Sequence, residues 1–344
     1  MYNGQLINRQ QEFHFFTTLQ LLSIDADIVF TSFANYGSFG ADNVKASIIG
    51  IGHVGATIAF SLVVKGTCDE IVLVNRTQRK AEGEAADLQY AAAFVARAIS
   101  IIAGDIDTTA NSDVIIVCAS APASQHGQGR NNLAQANAVL FREWIEPLVR
   151  RSPNCVLVIV TNPVDVMTYV AWQLSGLPPE RVIGTGTLID SARFRSYLSE
   201  HLQIHPEDIR AYVLGEHGST QFPALSVAAT GGARIDNDPT IARLFERTVS
   251  SAHEIFEIKG YTNYAIALAT NLLVESILHD SHRTLPVSTL LDGFEEQHDV
   301  CLSIPSVIGR AGVVRQLHPV LNSEESELFR ACAKIVRSVI ATIV

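Results

Sequence analysis

Three side chains between Leu188 and Gly218 have the types and spacing to act on a small carboxylic acid. Asp190 and Arg193 stand three residues apart in IDSAR, and His217 follows in LGEHG after an amphipathic, helix-like stretch. A guanidinium presents a planar fork that matches a carboxylate. An imidazole can move a proton at neutral pH, and a carboxylate can hold that imidazole in one orientation. If the stretch is helical, residues i and i+3 lie on one side, so Arg193 can grip a substrate while Asp190 faces the histidine. The plain alternatives are a capping aspartate, a surface ion pair and a structural histidine. A second reactant is needed to decide between them.

The elements upstream supply one. KASIIGIG is a short apolar run ending in glycines, VGATIAFSLVVKG reads as the helix that follows, and EIVLVN as a second strand ending at Asn75. A helix from Gln78 to about Ala93, the runs SIIAG and DVIIVCASA, a helix from about Leu133 to Arg150, then CVLVIV and RVIGTG continue the alternation. Continuously apolar strands alternating with helices predict a parallel sheet covered on both faces, an α/β doubly wound Rossmann domain over residues 44–186. After Gly186 the rhythm changes. A helix around Asp190 to Leu202, strand-like AYVLG and ALSVAATGG, two long helices between about Ile241 and His279, strand-like DVCLSIPSVIG and a terminal helix from Ser323 predict an α+β catalytic domain over 187–344. Ser323 and Ser326 are the candidate caps of that last helix. Residues 1–43 show neither period; an arm packed on another subunit, a misassigned start and a poorly ordered extension are the open readings of this N-terminal arm or extension, and no chemistry is assigned to it.

Gly50, Gly52 and Gly55 satisfy GxGxxG between strand and helix, with His53 and Val54 inside the motif. That placement suits a dinucleotide: the glycines allow the turn, the close approach of backbone N–H groups to pyrophosphate, and tight helix packing. A carboxylate at the end of the second strand would take both ribose hydroxyls and repel a 2′-phosphate. Here Asn75 stands there, followed by Arg76 and Arg79. Two readings stay open, NAD with Asn75 on one ribose hydroxyl, or NADP with the arginines on its extra phosphate.

The composition excludes other classes. Of 344 residues, 47% are hydrophobic and 17% charged, the net charge is −10, and the 25 basic residues are scattered, which argues against nucleic acid. Five cysteines without a CxxC pair do not form a disulfide framework. With no run of about 18 apolar residues and no signal-peptide pattern, the expectation is a cytoplasmic protein that crosses no membrane.

The runs IIGIGHVG, GEAADLQYA, TNPVDVMTYVAW, VIGTGTLIDSARFRSYLSEHL, VLGEHG, KGYTNYAIAL and LSIPSVIGRAG together resemble the L-lactate/L-malate dehydrogenase superfamily, the lactate branch in particular. The resemblance implies reversible hydride transfer between NAD(P)H and a 2-keto acid such as pyruvate. It implies His217 as proton donor and acceptor, Asp190 as its orienting partner and Arg193 as the carboxylate clamp. Arg130 matches an arginine on a loop that closes over substrate, with Gly127 and Gly129 giving that loop freedom. Asn162 matches an asparagine touching nicotinamide and substrate, and Thr262 a threonine lining the pocket. The selecting residue lies a few positions before Arg130. No arginine precedes it there, which disfavours malate. The loop is one residue longer than the lactate pattern, so either Gln125 or Ser124 takes the selecting position. Gln125 fits lactate, whereas Ser124 fits a larger 2-hydroxy acid of the hydroxyisocaproate type. Arg195 and Arg210 match positions where some relatives bind an anionic effector, and relatives assemble as homodimers or homotetramers. No metal is implied. A non-catalytic dinucleotide sensor is the rival from another class, although binding alone needs no proton shuttle.

Overall fold

The computed structural model describes residues 43–122 and 129–343; the expected arm, Asn43 apart, and positions Ser124, Gln125 and Gly127 lie outside them. Among the described residues are fourteen strands and eight α-helices. The first strands are β1 (Lys45–Ile49), β2 (Glu70–Val74), β3 (Ser100–Gly104), β4 (Val114–Val117), β5 (Val156–Ile159) and β6 (Val182–Gly184). They pair in parallel in the order β3-β2-β1-β4-β5-β6. β1, β2, β4 and β5 are almost wholly buried, as strands covered on both faces must be. The covering helices are α1 (His53–Lys65), α2 (Gln78–Ala92), α3 (Arg130–Arg151) and α4 (Val164–Ser175). One apolar cluster joins α3 and α4 to one face through Phe141, Ile145 and Met167, and a second joins α1 and α2 to the other through Ile58, Leu62 and Leu88. Strand order reverses between β1 and β4. A ligand crevice opens at such a switch point, beyond the carboxyl ends of the strands.

The second half is not laid beside this sheet but extends it. β12 (Arg283–Asp292) pairs antiparallel with β6, then β13 (His298–Gly309) and β14 (Gly312–Gln316) follow, giving nine strands in one sheet. Residues Asn43–Val344 form one compact unit. The strand character of β12 is not evident from sequence, because Pro286 and Ser288 interrupt its apolar pattern; Pro286 sits opposite Pro305 of β13. The remaining elements are α5 (Leu188–Leu202), α6 (Pro239–Lys259), α7 (Tyr264–Leu278), α8 (Ser323–Ile340) and five two-residue strands. Those are β7 (Ile209–Arg210), β8 (Val213–Leu214), β9 (Phe222–Pro223), β10 (Ala229–Thr230) and β11 (Ala233–Arg234). AYVLG and ALSVAATGG are therefore mostly loop with short pairings.

Two boundaries differ from expectation. α3 begins at Arg130, a turn earlier than Leu133, because Gly129 at φ 125° bends the chain into the helix. α8 is capped by Asn322, not by Ser323 or Ser326. The Glu325 N–H donates to Asn322 Oδ1 at 2.9 Å and the Asn322 N–H to Glu325 Oε2 at 3.2 Å, a reciprocal capping box. All five cysteines are free thiols. Burial pushes Cys68, Cys118 and Cys155 up to about 12, which leaves them protonated and unreactive at neutral pH.

Candidate active site

The glycine loop lies at the switch point. Gly50, at φ 97°, passes so close to the chain after β4 that a Cβ there would stand 2.5 Å from Ala119 backbone atoms, and a Cβ on Gly55 would stand 2.2 Å from the Gly50 carbonyl oxygen. Gly52 is different, for nothing lies within 4 Å of where its Cβ would be. It forms the N-cap of α1 with no side-chain cap and no acidic residue in the first turn. The N–H groups of His53 and Val54 start that helix, so the loop presents an open, electropositive helix end of the kind that takes a pyrophosphate. The residues fit a dinucleotide. Gly52→Ala is therefore expected to keep the thermal midpoint while weakening NADH binding by about 10-fold or more, whereas Gly50→Ala should lower the midpoint itself. Calorimetric melts and NADH fluorescence titrations read the two effects separately.

Asn75 closes the cradle from β2. Its Oδ1 accepts from the Ile51 N–H at 3.1 Å and its Nδ2 donates to the Thr77 carbonyl at 3.2 Å. Arg76 and Arg79 are exposed beside it and make no ion pair among the described residues.

Across the crevice, the first turn of α5 is fastened on several sides. The Thr187 N–H donates to Ser303 Oγ at 2.9 Å and Thr187 Oγ1 to the Val213 carbonyl at 2.6 Å, while Ser191 Oγ accepts from the Val213 N–H at 2.9 Å. These bonds bind β8 to α5. Gly215, at φ 87°, bridges to Ser303 of β13, and a Cβ there would stand 2.6 Å from the Cys332 sulfur. The turn aims the next residues back at α5. The His217 N–H donates to Asp165 Oδ2 at 2.7 Å, from the first turn of α4. No role is assigned to Asp165 from the sequence, where TNPVD shows only an aspartate three residues after Asn162; its full burial appears only in the fold.

The three starting residues meet here. His217 Nδ1 lies 2.5 Å from Asp190 Oδ2, and Arg193 Nη1 lies 3.3 Å from Asp190 Oδ1. Asp190 is 2% exposed, so its charge is held between two partners, away from water. Nδ1 is engaged by Asp190, so a proton exchanged with a substrate would pass through Nε2. His217 and Arg193 line a cavity of about 200 Å³ with Val54, Asn162, Thr262 and Phe256. Its size suits a small acid better than a drug-sized ligand. Asn162 is in turn held by Asn137, which is fully buried on α3: Asn137 Nδ2 donates to the Asn162 carbonyl at 2.7 Å and its Oδ1 accepts from the Ala121 N–H at 2.6 Å. Arg130 starts α3. No group of histidines, cysteines and carboxylates among the described residues could hold a metal ion.

Arg195 is turned away from this cavity, into a larger one of about 710 Å³ with Arg210, Arg283 and Glu207. Burial, and behind it the charge of Arg210, lower the Arg195 guanidinium from its ordinary value.

A doubly wound sheet with an open dinucleotide cradle, facing an imidazole–carboxylate pair and a guanidinium across one crevice, defines a nicotinamide-dependent oxidoreductase. Comparison with known proteins narrows the class. Residues 44–184 match the NAD binding domain of lactate/malate dehydrogenase and residues 187–344 its alpha/beta C-terminal domain. The chain belongs to the lactate/malate dehydrogenase family. It is 40% identical over 306 residues to an L-lactate dehydrogenase of Gloeobacter violaceus, covering 86% of this chain and 92% of that one. An L-lactate dehydrogenase A chain of Dissostichus mawsoni is 40% identical over 303 residues, covering 84% and 90%. Among solved structures, the minor L-lactate dehydrogenase of Enterococcus mundtii in a ligands-bound form superposes with a TM-score of 0.85 at 31% identity, covering 88% of this chain and 99% of that one. NAD is the cofactor that the matched domain implies. No helix among the described residues is long and apolar enough to cross a membrane.

Proposed function

We propose that the protein is an L-lactate dehydrogenase, reducing pyruvate to L-lactate and reversing the reaction. The observation that carries this reading is the chain of contacts from His217 through Asp190 to Arg193 at the wall of a small cavity. Residues 44–186 hold the dinucleotide through Gly50, Gly52, Gly55, His53 and Val54, and residues 187–344 carry the substrate chemistry. When bound, the dinucleotide supplies the hydride or takes it back. Arg193 binds the carboxylate of the keto acid with its fork, and Asn162 and Thr262 wall the reacting carbonyl. His217 gives its Nε2 proton to the keto oxygen as that oxygen gains charge, and recovers it in the reverse direction. Asp190 holds Nδ1, fixing the ring and stabilising its charged form. Arg130, from the start of α3, polarises the carbonyl. A non-catalytic sensor would need none of this apparatus.

Steady-state rates on pyruvate, 2-oxoisocaproate and oxaloacetate test the substrate. Pyruvate should rank first if Gln125 selects; a preference for 2-oxoisocaproate would point to Ser124 and a larger 2-hydroxy acid, and a preference for oxaloacetate would overturn the reading. For the cofactor, Asn75 offers an amide where a carboxylate would repel a 2′-phosphate, and Arg76 and Arg79 stand exposed beside it. NADPH should therefore serve measurably alongside NADH. Asn75→Asp keeps an acceptor for the Ile51 N–H while adding that charge, and should cut NADPH use by about 10-fold or more relative to NADH. No detectable NADPH turnover in the parent would place both arginines in solvent.

Three further readings complete the proposal. The protein acts in the cytoplasm, as its five free thiols suit. It assembles as a homodimer or homotetramer, supported by the exposed apolar side chains Phe60 and Val64 of α1, Tyr90 of α2, Phe256 and Ile258 of α6 and Leu268 of α7. Arg195 and Arg210 bind an anionic effector in their shared cavity. Fructose 1,6-bisphosphate should lower the KM for pyruvate in the parent and do nothing in Arg210→Ala.

A further inference from the structure

The first turn of α1 and the segment carrying Thr262 are joined by contacts that neither the phosphate cradle nor the substrate pocket by itself requires. The His53 imidazole lies flat on the Tyr261 ring, centroids 3.9 Å apart and planes within 5°. One turn along α1, Thr57 Oγ1 donates to the His53 carbonyl at 2.6 Å and accepts from Asn263 Nδ2 at 2.8 Å. Asn263 Oδ1 accepts from Lys259 Nζ at 2.5 Å. That ammonium stands 4.5 Å from the centre of the Tyr261 ring and 4.0 Å from that of Tyr264. Among the described residues no carboxylate pairs with it, so the two rings and the Asn263 amide are what hold it. Asn263 is buried, although Thr57 lies 206 residues away in the chain.

The arrangement has a direction. His53 follows Gly52, whose Cβ position opens on the cradle, while Tyr261 and Asn263 flank Thr262, which lines the small cavity. We propose that His53, Tyr261 and Asn263 form a clasp through which a dinucleotide at the glycine loop sets the affinity of the pocket for its 2-keto acid, a role that rests on the dehydrogenase reading above. The physical basis is ordering. Before a phosphate engages the N–H groups of Gly52, His53 and Val54, the first turn of α1 lacks a cap. Once they are engaged His53 is fixed, the stack fixes Tyr261, and the neighbouring Thr262 no longer has to be ordered by the substrate. The second ligand then binds to a segment already in place, and by linkage each ligand strengthens the other by the same factor. His53, Tyr261 and Asn263 are positioning residues in this account. None is required to touch the keto acid.

The test reads a coupling factor, the ratio of NADH dissociation constants without and with saturating oxamate, an unreactive amide analogue of pyruvate. The full-length protein should show a factor of about 5 or more. His53→Ala and Tyr261→Ala should each bring it to about 2 or below, and the double variant should fall no further, because either change alone breaks the stack. His53→Phe, which keeps a flat ring over Tyr261, should restore it. His53 is exposed, so its variants should fold, and melting curves check that they do. Coupling that survives in both alanine variants, with only the NADH constant altered, would reduce His53 to a cofactor contact and overturn the clasp; so would a parent factor near 1. Pyruvate turnover in the parent, measured separately, decides the dehydrogenase reading, and its loss would leave a measured NADH–oxamate coupling standing.

Discussion

His217→Asn is expected to lower kcat for pyruvate reduction by about 10²–10⁴-fold while NADH binds within about three-fold of the parent. The reaction delivers negative charge to the keto oxygen, and a proton must reach it in the same step. Imidazole is the group present that can both give and recover a proton near neutral pH. The asparagine side chain would keep a hydrogen-bond donor of similar reach but could not ionise, so the variant removes the proton without removing the contact. The dinucleotide is held by the Gly50–Gly55 cradle and not by the His217 imidazole, which is why dinucleotide affinity should survive. Stopped-flow absorbance of NADH gives kcat, and fluorescence titration gives the binding constant. The parent should also lose reductive rate and gain oxidative rate as pH rises, since reduction consumes the proton that oxidation returns. Turnover persisting within a few-fold of the parent would remove His217 from the mechanism.

Arg193→Lys is expected to cut kcat/KM for pyruvate by about 10²-fold. The charge is kept, so any loss comes from geometry. Guanidinium can place two parallel N–H bonds on a carboxylate, and hydrogen bonds to charged groups contribute about 1.5–3 kcal/mol each. A lysine offers one point charge on a flexible stem. It would also be drawn to Asp190, whose Oδ1 already lies 3.3 Å from Arg193 Nη1, and a lysine folded onto that carboxylate would compete with His217 for it. The loss should therefore appear in both KM and kcat. A rise in KM alone would show that Arg193 binds substrate without sharing Asp190 with the histidine, and an unchanged kcat/KM would place the carboxylate elsewhere.

Much of the scaffold was legible because its signals are local. The apolar runs of β1, β2, β4 and β5 bury both faces and so carry no alternation to misread, and the glycines between β1 and α1 mark the turn they make. β12 was not legible. Its pairing with β13 and β6 is long-range, and Pro286 and Ser288 look like interruptions until the partner strands are seen. The cap of α8 was misplaced because Asn322, Ser323 and Ser326 each have a side chain that qualifies, and only the reciprocal bonds between Asn322 and Glu325 single one out.

The candidate site divides in the same way. Residue type and spacing alone indicate a carboxylate, a guanidinium and an imidazole suited to one acid, since Asp190 and Arg193 share one turn of helix and helical geometry is a property of the chain. That His217 reaches Asp190 is another matter, settled by the tertiary structure. Its approach depends on the turn at Gly215, the bridge to Ser303, the buried acceptor on Asp165 and the clamp of β8 on α5, contacts between segments that no window of sequence contains. The same holds for Asn137 behind Asn162 and for the stack of His53 on Tyr261. Chemistry resides in side chains, which the sequence spells out; proximity is a property of the packed core, which appears only when strands far apart in the chain close around it.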